Sequence, residues 1–371
     1  MTAARRLVIL GATGTVGVQA LRILADTSSP VEVVALSCHS QAEKLATSGP
    51  GSALRFRTDD PAQQDALLQF LETGDYEICL NAVVGAAGLP YTEAVLKAGR
   101  DLALANKESL VMAGSLLMPL AKRTGAQIIP VDSEHSAIHQ CLLGSREGEI
   151  RNLYLTASGG ALRDMPLAEM AEVTPAQALD HPNWDMGPRI TIDSATMMNK
   201  AFEILEARFL FDVGPEDIKV LVHRQSIVHS MVEFLDGSML AQLGPPDMSL
   251  PIHYAVHHPQ RFPSPLQGFD PKMFAQLTFE EPELERFPCL TLGWRAAELG
   301  GDAGAILNAA DEIAVQAFLE EQIPFPRIAT LCAEAMDALA GHPIPDLASV
   351  YDADRTARDF VADRIPTAKL R

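Results

Sequence analysis

Paired carboxylates, small hydroxyl side chains and one lysine-bearing helix carry the chemistry this sequence offers. Val131-Asp132-Ser133-Glu134-His135 sets Asp132 and Glu134 two residues apart, on an irregular stretch after a predicted strand. Two carboxylates turned toward one point repel unless a proton or a cation lies between them. Oxygen-only ligands favour a hard ion such as Mg²⁺ or Mn²⁺. A helix N-cap pair is the competing use of the same acids, and on these residues alone both readings stay open. Further on, residues 193–206 are predicted to begin a helix with Ser194 as its N-cap. Ser194, Asn199 and Lys200 crowd that end and suit a phosphate. Glu203, four residues after Asn199 on a neighbouring helix face, would complete a metal site with Asp132 and Glu134. A solvated helix surface is the competing reading of each of these residues.

Two loops add to this set. Asn106-Lys107-Glu108-Ser109 follows a predicted strand, and Ser158-Gly159-Gly160 follows another and can present backbone N–H groups to an anion. The stretch 181–189 holds two prolines, a glycine and Trp184, one of the chain's 2 tryptophans. A structural turn is one reading. A lid that closes over a ligand, with Trp184 and Met186 excluding water, is the sharper one.

The segment Gly11-Ala-Thr-Gly14-Thr-Val-Gly17 follows a strand and opens a helix. Glycines there allow a tight turn and close approach to a pyrophosphate, which then sits on the helix N-terminus. Sites that prefer NAD place an acid ~20 residues beyond such a loop. Here the second strand ends in Ser37-Cys38-His39-Ser40, with no acid. Hydroxyls and an imidazole suit a 2′-phosphate better, so the expected cofactor is NADPH.

These residues need elements to position them. Strand-like runs at 6–10, 31–36, 76–84, 101–104 and 126–131 alternate with helical patterns at 62–71 and 89–98. That alternation implies βαβ units and a parallel sheet. After residue 131 strand-like runs at 153–157, 219–222, 231–234 and 239–242 mix with helices, and Asp236-Gly237 reads as a hairpin turn. Residues 258–288 are proline-rich and read as a linker. From Leu290 the pattern is helical, at 290–299, 304–321 and 326–339. The expected fold is α/β. It has a Rossmann-like cofactor domain over 1–131, a central α+β catalytic domain with a lid loop over 132–257, a linker over 258–288 and a helical domain over 289–371.

The composition bounds the partners. With 29 Lys+Arg against 48 Asp+Glu, the net charge is −19, which argues against nucleic acid or an anionic membrane surface. The 5 cysteines are scattered without a CxxC pair, so reduced thiols in a cytoplasmic protein are expected. No signal peptide and no apolar run of ~20 residues is visible.

The combination of GATGTVG (11–17), ANKESLV (105–111), PVDSEHSAIHQ (130–140), ASGGALRD (157–164), HPNWDMG (181–187) and the helix over 193–211 resembles the 1-deoxy-D-xylulose 5-phosphate reductoisomerase family. QSIVHSMV (225–232), DGSMLAQLGPPDM (236–248) and LNAADEIAVQAFL (307–319) extend the resemblance in family order. It implies an NADPH- and divalent-metal-dependent rearrangement and reduction of a phosphorylated ketose, by a homodimer. Thr13, Gly14, Thr15 and Val16 would line the cofactor, with Asn106, Glu108 and Gly187. Asp132, Glu134 and Glu203 would hold the metal. Lys107, Ser133 and Glu134 would meet the reacting end of the substrate. Ser158, Ser194, Asn199 and Lys200 would hold its phosphate, and His181, Trp184 and Met186 would close over it. Lys107, Glu134 and His181 are the expected catalytic residues. Three positions depart from the family: His39-Ser40-Gln41 stands where Gly-Lys-Asn is common, Arg224 replaces a frequent Pro, and Asp311 a frequent Asn. The last two fall outside the ligand motifs, so little effect on chemistry is expected from them. A dehydrogenase of the homoserine type shares the first domain but lacks the later motifs. A catalytically dead NADPH-binding protein would be expected to lose a metal carboxylate.

Overall fold

The computed structural model describes residues 4–26, 29–146, 148–182, 187–264, 266, 268 and 270–366. They form two compact units.

The first unit begins with β1 (Arg5–Leu10), α1 (Thr15–Asp26), β2 (Val31–Cys38), α2 (Ala42–Ala46), β3 (Leu54–Arg57), α3 (Pro61–Thr73) and β4 (Ile78–Asn81). It continues through α4 (Leu89–Lys97), β5 (Asp101–Leu104), α5 (Lys107–Thr124), β6 (Ile128–Pro130) and α6 (Ser133–Cys141). The six strands lie in the order β3-β2-β1-β4-β5-β6, all parallel. The apolar run Leu7–Leu10 is fully buried, as expected of a central parallel strand covered on both faces. The chain order reverses between β1 and β4, where such sheets open a ligand crevice at the carboxyl ends of the strands.

The second unit holds β7 (Ile150–Ala157), α7 (Pro175–Leu179), α8 (Pro188–Thr196), α9 (Met198–Phe211), β8 (Ile218–Val222), β9 (Val228–Phe234) and β10 (Met239–Leu243). Its sheet runs β10-β9-β7-β8, with β7 and β8 parallel and the other pairs antiparallel. Gly237, at φ +86°, makes the β9–β10 turn, and Ser238 N donates to Asp236 Oδ1 at 2.9 Å. Helix α10 (Ser249–His257) then returns to the first unit, where Ile252, Ala255 and Val256 join the core of Leu7, Ile9 and Ala20. Helices α11 (Pro288–Leu299), α12 (Ala303–Leu319), α13 (Arg327–Leu339) and α14 (Leu347–Ala362) complete the second unit. Helix α12 is buried from Ala303 to Asp311 and packs against α13 and α14.

The chain-linear divisions at 131 and 257 do not express this return of α10, nor the Leu110–Leu116 stretch of α5, which belongs to the second unit. Helix α5 bends at Ala113 (φ −137°, ψ 18°). The adjoining Gly114 lies against the Phe209 ring, where a Cβ would come within 2.3 Å. Strand β3 and helix α10 are among the elements that the sequence pattern does not reveal. Strand β3 is a four-residue edge strand without an apolar run, and α10 follows a Pro-Pro pair. The strand expected over 76–84 is only Ile78–Asn81. Asn81 ends it by bonding Gly88 O and Thr92 Oγ1 through Nδ2 and taking Val83 N at Oδ1.

Candidate active site

In the first unit the glycine loop is tightly made. Gly11 has φ +75°, and a Cβ there would lie 2.5 Å from Ala82 O. A Cβ on Gly17 would lie 2.4 Å from Gly11 O. Only glycine fits either position. Thr13 and Gly14 form the turn, and Thr15 and Val16 begin α1. First-turn N–H groups lack helical acceptors and favour an anion. Lys44 of α2 donates to Thr13 O at 2.6 Å.

Asn106 and Glu108 brace the turn that follows β4. Asn106 Nδ2 donates to Val83 O (2.7 Å), Gly85 O (2.9 Å) and Glu108 Oε2 (2.9 Å). Gly85 N donates to Glu108 Oε1 at 3.1 Å. Their described contacts thus shape the crevice rim. Lys107 Nζ pairs with Asp132 Oδ2 at 2.9 Å, both largely buried. Asp132 is the N-cap of α6, taking Glu134 N at 3.1 Å, and its Oδ1 lies 3.0 Å from His135 Nδ1. The cap reading of this acid is therefore observed. Ser133 Oγ donates to Glu134 Oε2 at 2.5 Å.

In the second unit, Gly159 (φ +86°) and Gly160 (φ +70°) turn the chain after β7. A Cβ on Gly160 would lie 2.4 Å from Ser194 O, so this loop rests on the end of α8. Ser158 Oγ lies 3.0 Å from His181 Nε2. Burial first, then the charge of Arg163, holds the His181 imidazole below its ordinary pKa. Ser158, His181 and Ser194 thus meet around one loop. Trp184 and Met186, expected in the lid, lie outside the described residues.

Ser194 is not an N-cap. Pro188 starts α8 earlier, with Gly187 as its cap residue, so Ser194 falls in the last turn. Met197, left-handed at φ 61°, separates α8 from α9. Asn199 and Lys200 occupy the first turn of α9, where the helix dipole favours an anion. Asn199 Nδ2 donates to Glu203 Oε1 at 2.6 Å, and Lys200 Nζ to Glu203 Oε2 at 2.5 Å. Glu203 is fully buried.

The sequence reading missed a charged cluster beside these residues. Arg189 of α8 reaches Asn308 Oδ1 (2.8 Å), Asp311 Oδ2 (3.3 Å) and Glu312 Oε2 (3.2 Å) on α12, and Asp193 Oδ2 (3.8 Å) on its own helix. Burial, offset in part by Arg189, raises the Asp311 carboxyl to about 6. Asp311 thus touches the residue that ends the 181–189 stretch, although the sequence sets it far from any ligand motif. Acids in the otherwise apolar 307–319 segment were the available signal. Arg224, the other departure, pairs with Asp164 and Glu280 at the surface.

A family model described as 1-deoxy-D-xylulose 5-phosphate reductoisomerase matches residues 7–50 and 52–114. Models of C-terminal domains of the same enzyme match 128–211 and 243–360. The 1-deoxy-D-xylulose 5-phosphate reductoisomerase of Anaeromyxobacter dehalogenans is 45% identical, over 97% of each chain. The solved Zymomonas mobilis reductoisomerase in complex with NADPH is 38% identical, with a TM-score of 0.88 over 98% of this chain and 100% of that one. A DOX-P reductoisomerase solved with NADPH, fosmidomycin and magnesium is 36% identical, with a TM-score of 0.88 over 97% and 98%. By sequence and by fold along nearly its whole length, the chain belongs to the 1-deoxy-D-xylulose 5-phosphate reductoisomerase family.

Proposed function

We propose that the protein converts 1-deoxy-D-xylulose 5-phosphate to 2-C-methyl-D-erythritol 4-phosphate, with NADPH and a divalent metal, in isoprenoid precursor biosynthesis. The observation that carries this is the family match along the chain, to relatives solved with NADPH and magnesium. The residues present fit both groups. The glycine loop is a backbone cradle in which a Cβ at Gly11 or Gly17 would collide, and Asp132, Glu134 and Glu203 are all retained.

Asp132, Glu134 and Glu203 are the proposed ligands of Mg²⁺ or Mn²⁺. When bound, the metal supplies Lewis-acid stabilisation of negative charge on substrate oxygens, and NADPH supplies the hydride. Lys107, held by Asp132, and Ser133 orient the hydroxyl and carbonyl end. Lys200, Asn199, Ser194 and Ser158 bind the phosphate, which is remote from the reacting carbons, so its binding energy is available for closure. His181, whose burial disfavours its protonated form, hydrogen-bonds beside that phosphate, and with Trp184 and Met186 excludes water. Thr13, Gly14, Thr15, Val16 and Gly187 meet the cofactor, on the rim braced by Asn106 and Glu108. The exposed apolar Leu235, Met239, Leu240 and Leu243 on and beside the edge strand β10 support a homodimer through that edge. Among the described residues no helix is long and apolar enough to cross a membrane. That and the five free cysteines support a cytoplasmic enzyme.

The test is NADPH oxidation with 1-deoxy-D-xylulose 5-phosphate, with and without Mn²⁺. Metal-dependent turnover is expected. Glu203→Gln should abolish it while NADPH affinity stays intact, and full activity of that variant would remove Glu203 from the metal.

A further inference from the structure

The family's Gly-Lys-Asn stretch is absent after β2, and the structure puts other cations at that edge of the sheet. Strands β2 and β3 run parallel, with Cys38 opposite Arg57. Thr58 N donates to Cys38 O at 2.9 Å, so the carboxyl ends of both strands finish side by side. Arg57 stands at the end of β3, next to the exposed His39 and Ser40. In this fold class the end of the second strand meets the adenosine ribose, and a nearby Arg accommodates a 2′-phosphate.

The two arginines of β3 are used differently. Arg55 and Arg57 share one face of the strand. The Arg55 guanidinium donates to four carbonyls, of Leu45, Ala53, Ser48 and Pro50, and so staples the loop between α2 and β3. Among the described residues the Arg57 side chain makes one ion pair, Nε to Asp59 Oδ1 at 3.2 Å, without a hydrogen bond at Nε, and it is 38% exposed. Its Nη1 and Nη2 make no hydrogen bond or ion pair among the described residues. The backbone beneath is fixed, since Arg57 N donates to Gln63 Oε1 at 3.0 Å. Lys44 reaches across from α2 to the carbonyl of Thr13 in the glycine loop, and pairs with no carboxylate among the described residues. The nearby acids are otherwise placed. Asp60 caps α3 and takes Gln63 Nε2, and Glu43 is exposed on α2. Ser37 is buried, so its hydroxyl does not serve the outer edge as the sequence reading had it. His39 Nδ1 lies 3.3 Å from Thr58 Oγ1.

We propose that Arg57, held by Asp59 with its terminal nitrogens outward, and Lys44, bridging to the glycine loop, recognise the 2′-phosphate of NADPH in this chain and set its preference over NADH. This rests on the NADPH reading above. A planar guanidinium suits bidentate contact with phosphate, and Lys44 adds a point charge. The carboxylate of Asp59 orients Arg57 but also opposes an incoming anion, which makes Asp59 a second handle on the same preference.

The test uses the purified chain without substrate. NADPH, NADH, adenosine 2′,5′-bisphosphate and AMP are titrated by calorimetry or by fluorescence against the wild type, Arg57→Ala, Arg57→Lys, Lys44→Ala and Asp59→Asn. Arg57→Ala should weaken NADPH and the bisphosphate by roughly tenfold to a hundredfold, the loss of charge-assisted hydrogen bonds. NADH and AMP should be unchanged. Arg57→Lys should recover part of the loss, Lys44→Ala should show a smaller loss with the same selectivity, and Asp59→Asn should not weaken NADPH. A wild-type preference for NADPH that survives Arg57→Ala overturns the proposal alone, as does an equal loss for NADPH and NADH. Equal affinity of the wild type for NADPH and NADH overturns the cofactor reading together with it.

Discussion

Replacing Asp311 with Asn should stabilise the protein at pH 8 and change it less at acidic pH. Asp311 is fully buried on α12. Facing it are Arg189 and Asp193 from α8, and its neighbour Glu312, which Arg358 of α14 also holds at 3.0 Å. The buried thiols of Cys289 on α11 and Cys332 on α13 feel its charge. Burial is the largest influence and Arg189 opposes it, which leaves the carboxyl at about 6 against an ordinary 3.8. At about 1.4 kcal/mol per tenfold, that rise corresponds to about 3 kcal/mol. The folded state binds this proton more tightly than the unfolded chain. Its stabilising contribution is therefore present below the unfolded pKa and lost as pH rises through about 6. Roughly 2 kcal/mol of it disappears between pH 4.5 and 8. Asn keeps the shape and the acceptor for Arg189 without the charge. Urea unfolding of both proteins at pH 4.5, 6 and 8 cancels the other titrating groups in the difference. The advantage of the variant should grow by about 2 kcal/mol across that range. A difference flat with pH, or a variant less stable at pH 8, would refute the reasoning.

Gly17→Ala would put a Cβ 2.4 Å from Gly11 O and 2.6 Å from Ala12 Cα. The loop must shift, and NADPH affinity by fluorescence titration should fall about tenfold or more. Gly114→Ala drives a methyl into the Phe209 ring, at a cost of about 1–3 kcal/mol. A lower urea midpoint with an unchanged m-value checks this. All five cysteines are buried, and burial raises the Cys141 thiol to about 11. A thiol reagent should find almost none of them in the native protein and all five in urea.

Much of this protein is determined by local sequence. The apolar run of β1, the glycines after it and the helix beginning at Thr15 follow from steric rules that hold within a few residues. The chemical types at Asp132, Glu134, Ser158, Asn199, Lys200 and Glu203 identify the candidate site because oxygen ligands and phosphate donors are properties of the side chains themselves. Local preference misplaced Ser194, a good N-cap by type. Pro188 opens the helix earlier and a left-handed Met197 ends it, and neither effect lies in Ser194 itself. Strand β3 was hidden because a four-residue edge strand with alternating arginines owes its existence to the hydrogen bonds of β2. The partners of Arg189 and Arg57 belong to the tertiary structure alone. Asp311 stands 122 residues from Arg189, and the outward face of Arg57 is set by the register of β3 on β2. Spacing along the chain cannot encode such pairs, since the charge each group meets comes from elements that only folding brings beside it.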